Sequence, residues 1–180
     1  MTCCFIGHRK IEITPALTDE LDRLLQRLIA QNVTQFLFGD HSAFDSLCYR
    51  AVTELKKNRP QIRRIRFRTD YPDADPYTER LLRTGYEDCI CPAGAAWAGR
   101  AAYLIRNQAM IRESDICIFY CDEKYLPRQR GKFPDGAAGQ PQSGTKLAFD
   151  YAKAQKKKVI NLFHPDQTQD ADAVQTPRPL

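Results

Sequence analysis

Ile116-Cys117-Ile118-Phe119-Tyr120, followed after a loop by Ser143-Gly144-Thr145 and the segment 146–156, decides the fold. Five apolar residues in an unbroken run read as a strand buried on both faces, the pattern of a central parallel strand. A small-residue turn that opens a helix then gathers free backbone N–H groups, a hydroxyl and the positive end of a helix dipole at one point. Such a point suits a phosphate. The opening of the chain, Cys3-Cys4-Phe5-Ile6-Gly7-His8-Arg9, repeats the shape: an apolar strand, a glycine, then a cation.

The same alternation continues along the chain. Thr14-Pro15 supplies an N-cap and a first-turn proline for a helix with Leu17, Leu21, Leu24, Leu25, Leu28 and Ile29 on one face. Phe36-Leu37-Phe38 reads as a buried strand ending at Gly39-Asp40. A second helix carries Phe44, Leu47, Cys48, Ala51, Val52 and Leu55 as the stripe of a helix laid on a sheet. Residues 62–67 alternate apolar side chains with arginines, the pattern of a strand nearer an edge. A short helix over 77–83, a weak strand over 86–91 and a helix over 97–112 come next, with Arg106 and Asn107 off the apolar stripe and so toward solvent. Residues 159–163 make the last strand. This order gives an α/β fold, a doubly wound, mostly parallel sheet of five to six strands flanked by helices. Ligands of such sheets sit at the carboxyl ends of the strands, where Gly7-His8-Arg9, Gly39-Asp40 and the loop from Asp122 all lie.

The 180 residues suffice for one domain, read here as 1–163 with a polar, flexible tail over 164–180. A net charge of +5 favours anionic partners. The seven cysteines are an odd number, and several sit in apolar strands as small hydrophobes. They form no paired C-x-x-C sites, so no metal and no cofactor is expected, and the compartment reads as the reducing cytoplasm. No basic leader precedes the first strand and no apolar run approaches the roughly 18 residues of a membrane span.

Individual residues narrow the chemistry. Arg9, just past Gly7, is placed to grip a phosphate or carboxylate with two N–H groups. Asp40 or Ser42 suits an N-cap for the second helix, while Asp45, one turn in, suits a ribose hydroxyl or a partnership with Arg9. His41 has no Ser or Cys nucleophile placed beside it by spacing. Arg63, Arg64, Arg66 and Arg68 read as the solvated face of a strand, and no aromatic residues interleave them for base stacking. Nucleic acid is therefore not expected as a partner, whereas an uncovered apolar helix face makes a homodimer reasonable.

Taken in order, Cys4-Phe5-Ile6-Gly7-His8-Arg9, Phe38-Gly39 with Phe44-Asp45, Arg106-Asn107-Gln108-Ala109-Met110 with Ser114-Asp115, and Ser143-Gly144-Thr145 with Tyr151-Ala152 resemble the YpsA-like family of the SLOG superfamily. That superfamily also holds the LOG phosphoribohydrolases and DprA. The resemblance spans about residues 2–163. It implies a Rossmann-like domain that binds or senses a nucleotide or nucleotide-derived ligand. Gly7 and Arg9 would form the first loop, Gly39 and Asp45 the second, Arg106 and Asn107 the ribose or phosphate contacts, and Ser143, Gly144 and Thr145 the phosphate cradle. The enzymatic alternative is an N-glycosidic or nucleotide hydrolase using Asp40, Asp45 or Asp122. Against it, the LOG-type pattern P-G-G-x-G-T-x-x-E ends in a carboxylate, but Gly144-Thr145 is followed by Lys146, Leu147 and Ala148, with none before Asp150. A DprA-like single-stranded DNA binder is the third reading.

Overall fold

The computed structural model describes residues 1–39, 42–69, 75–127 and 142–164. Strand β1 (Thr2–Gly7) is flanked on one side by β2 (Gln35–Phe38), β3 (Arg63–Phe67) and β4 (Asp88–Ile90). On its other side lie β5 (Ile116–Tyr120) and β6 (Lys158–Asn161). The six strands form one parallel sheet in the order β4-β3-β2-β1-β5-β6. The chain steps outward from β1 to β4, then returns to place β5 against the free side of β1. The order reverses between β1 and β5, where crossover connections leave a crevice at the carboxyl ends.

Alternation along the strands divides the core in two. Cys3 and Phe5 of β1 and Ile116 and Ile118 of β5 face α1 (Pro15–Ala30) and α2 (Ala43–Lys56). Cys4, Ile6, Cys117 and Phe119 face α4 (Ala102–Arg112) and α5 (Gly144–Ala154). All five residues of β5 are buried, as a central strand requires. The helix α3 (Pro76–Leu82) lies between β3 and β4 in the chain. Thr14 caps α1 by accepting from the Leu17 N–H at 3.2 Å, with Pro15 in the first turn. Ser42 caps α2, accepting from the Asp45 N–H at 2.9 Å.

Two expectations need correction. The helix read over 97–112 starts only at Ala102, after a single 3-10 turn at Gly99–Ala101, because Trp97 has a backbone φ of 69°. Of the four arginines over 63–68 read as a solvated stripe, only Arg63 is exposed. Arg64 pairs with Glu87 at 2.7 Å and lies over the Tyr49 ring, and Arg68 is 2% exposed. β4 is an edge strand, and β3, one place inward, lies near that edge as expected. Asp40 and His41, most of the loop expected over 126–142 and the tail from 165 lie outside the described residues. No helix among the described residues is long and apolar enough to cross a membrane.

Candidate functional site

The crevice at the switch point is a cleft of about 430 Å³. Its walls come from four places in the chain: Gly7, His8 and Arg9 after β1, Ser42 and Asp45 at the start of α2, Tyr103, Arg106 and Asn107 on α4, and Gln142 to Thr145 at the start of α5. Tyr125 and Pro127, after β5, close the rim. The fold thus brings together most of the residues singled out in the sequence. Two stand apart. Gly39 lies behind the wall, and Asp122 lies beside it, with its carboxylate accepting from the Lys124 N–H at 2.9 Å.

Arg106 and Asn107 are buried, at 6% and 7% exposure, which corrects their reading as solvent-facing. Off the core stripe of α4 they meet the cleft and the end of β2. One Arg106 Nη donates to the Gly39 carbonyl at 2.7 Å, and the other donates to Asn107 Oδ1 at 2.9 Å. The Tyr103 ring lies 5.2 Å from the guanidinium carbon. Asp45 holds the turn at the end of β2, accepting from the Gly39 N–H at 3.2 Å and the Ser42 hydroxyl at 3.1 Å. Arg9, by contrast, is exposed and its guanidinium has no partner among the described residues.

The three glycines of the loops do different work. A Cβ on Gly7 would sit 2.5 Å from the Phe44 Cβ, and one on Gly39 would sit 2.7 Å from the Arg106 guanidinium. Both are required by neighbouring side chains, not by a ligand. A Cβ on Gly144 meets nothing within 4 Å, so there the open volume belongs to the cleft. Ser143 caps α5, its hydroxyl accepting from the Lys146 N–H at 3.1 Å. The dipole end and the first N–H groups of this helix border the cleft together with the Thr145 hydroxyl.

His8 Nε2 accepts from the Asp122 N–H at 3.0 Å, which places the proton of the neutral ring on Nδ1. Its ring packs on Tyr125 at 4.6 Å between centroids. Burial lowers the imidazole pKa, against the opposing pull of the Asp122 carboxylate charge. The unfolded chain therefore binds this proton more readily than the fold does. The stabilisation is whole above the ordinary imidazole value near 6.5 and is lost as pH falls through the lower folded value. Thermal melting followed from pH 7.5 to 5 should show a drop in Tm that His8→Gln, which keeps an acceptor and cannot titrate, reduces. An unchanged drop in the variant would assign the titration elsewhere.

Two features of the site had no sequence signal. The Asn161 side chain of β6 clamps the end of β5, accepting from the Cys121 N–H and donating to the Cys121 carbonyl, each at 2.9 Å. It fixes where the loop toward Tyr125 departs. Burial pushes the Cys121 thiol up to about 11, so it stays protonated at neutral pH and is no nucleophile. Asp150, the first carboxylate after Thr145, is paired with Lys146 and does not line the cleft. Asp45 is the carboxylate that does line it among the described residues, and its oxygens are engaged in the α2 turn.

No family model and no curated protein matches the chain. Among solved structures, DNA processing protein A from Helicobacter pylori, described for its single-stranded DNA binding mode, has a similar fold. The TM-score is 0.53 at 16% identity, over 88% of this chain and 63% of that one. The chain thus spans less than two thirds of that protein, and the likeness is one of fold: α/β and Rossmann-like. It overturns the expectation against nucleic acid as a partner. That expectation rested on a modest net charge and on arginines 63–68 without interleaved aromatics, and a protein of similar fold binds single-stranded DNA.

Proposed function

We propose that the cleft binds a phosphorylated nucleotide unit, its phosphate held by the start of α5 and Arg9 and its sugar near Arg106 and Asn107. One observation supports this above the rest: an exposed cation without a protein partner among the described residues, a buried arginine and an open helix N-terminus line the same cleft of about 430 Å³. The motif resemblance to the YpsA-like family points the same way. A hydrolytic role finds less support, because the carboxylate that lines the cleft among the described residues is tied to its own turn and the nearby thiol stays protonated. A second reading, with the nucleotide unit inside a single strand of nucleic acid, is favoured by the ligand of the Helicobacter pylori protein.

Mass spectrometry of small molecules released from the purified protein, with calorimetry against nucleoside monophosphates and short oligonucleotides, tests both. A nucleotide or its polymer should bind. Arg9→Ala should weaken binding about tenfold, the loss of one charge-assisted hydrogen bond at a partly solvated site. Its Tm should not move, since the side chain anchors nothing in the described fold. Equal binding by Arg9→Ala and the parent protein would remove the phosphate from this corner. A polymer ligand adds a steep fall in affinity with salt, from counterion release.

A further inference from the structure

Trp97 is 92% exposed and has a backbone φ of 69°. Bulky side chains rarely adopt that region, and a ring in water stabilises nothing. Two neighbours with positive φ, at 94 and 99, are glycines, for which the conformation is free of strain. A glycine at 97 would serve this loop better than tryptophan does. The loop is nonetheless anchored: Ala95 is fully buried and its N–H donates to the Pro92 carbonyl at 3.0 Å. The indole is held out by a fixed support.

Its place in the fold suggests what it meets. The loop leaves the carboxyl end of β4, the end of the sheet at which the cleft opens. Six residues after Trp97, Tyr103 lines that cleft, half-exposed and backed by Arg106. Fully extended, six residues span at most about 20 Å, and the helical turns from Gly99 onward make it less. An exposed aromatic face within a few nucleotides' reach of a phosphate-binding cleft is the arrangement of a base-stacking platform. Resting on the cleft reading above, we propose that Trp97 stacks on a base flanking the nucleotide held in the cleft, so that the ligand is a single strand of two or more nucleotides.

Trp97 is the one tryptophan in the chain, so fluorescence excited at 295 nm reports this ring alone. Titration with an oligothymidylate of about eight nucleotides should quench it by more than half, while thymidine monophosphate binds without quenching. Trp97→Gly should lower oligomer affinity roughly tenfold, leave monophosphate affinity unchanged and Tm equal or slightly higher as the backbone strain is relieved, and Trp97→Phe should restore most of the lost affinity. Oligomer binding that leaves the fluorescence and the Trp97→Gly affinity untouched would overturn the platform while leaving the cleft reading intact. A blue shift on concentrating the protein alone would give the ring to a second copy of the chain and overturn it too. Failure of both monophosphate and oligomer to bind would remove the cleft reading, and the platform with it.

Discussion

Replacing Arg106 by alanine is expected to lower the affinity for a nucleoside monophosphate at least 100-fold and to destabilise the fold by about 2–4 kcal/mol. Both effects come from one guanidinium. It donates to the Gly39 carbonyl and to Asn107 Oδ1 from a buried position, so its removal leaves a buried carbonyl without that donor and empties the space beside the cleft. Arg106→Lys keeps the charge but lacks the planar fork that serves two acceptors at once, so it should rescue little. Urea denaturation gives the stability change and calorimetry the affinity change. Loss of stability with affinity intact would make Arg106 a scaffold residue and leave ligand contact to Arg9 and the α5 turn. Gly39→Ala tests the same packing from the other side, because its Cβ would stand 2.7 Å from the guanidinium.

Gly7→Ala should be nearly as damaging, lowering stability by about 3 kcal/mol, at the upper end of overpacking effects. The added carbon falls 2.5 Å from the Phe44 Cβ, near the rigid base of a fully buried side chain. Phe44 is boxed in by Phe5 at 6.5 Å and Tyr120 at 5.8 Å between ring centroids, so it has nowhere to retreat. The strain would pass to β1, where Gly7 pairs with Tyr120, and so to His8. Phe44→Leu alone should cost about 1–2 kcal/mol. Combined with Gly7→Ala it should cost less than the sum of the two, a coupling that a double-mutant cycle measures. Strict additivity would show that the two sites do not meet.

The glycines explain how far the sequence could be read. That Gly7 and Gly39 end buried strands is visible in the apolar runs before them, and so is the placement of their loops at one end of the sheet. What fills the missing Cβ is not, since Phe44 and Arg106 come from elsewhere in the chain and only the tertiary packing aims them. The Arg106 pair shows the same limit. Helical period separates the core stripe from the rest of α4, but it cannot say whether the rest looks into water or into a cleft. The β3 arginines misled for a related reason: alternation predicts two faces, and Glu87 covers part of one of them only after β4 is paired. The spacing of Ala101, Leu104, Ile105 and Ile111 extends a helix back to Trp97, and the Trp97 backbone angle excludes that. The strand from Ile116 and the Ser143 cap were legible because their signals are local, an unbroken apolar run and a hydroxyl at the head of a helix.

The position of β1 between β2 and β5 also governs the order of events during synthesis. Its second neighbour is not made until the ribosome passes residue 120, and His8 meets Asp122 across 114 residues of chain. Until then the amino-terminal half carries an open edge along its most apolar strand, a surface on which other nascent chains can pair. Long-range closure of this kind makes folding slow. A chain truncated before β5 would hold the Gly7 and Gly39 turns and the α4 segment but neither β5 nor the α5 wall, so the cleft is complete only once the segment after β5 has been made.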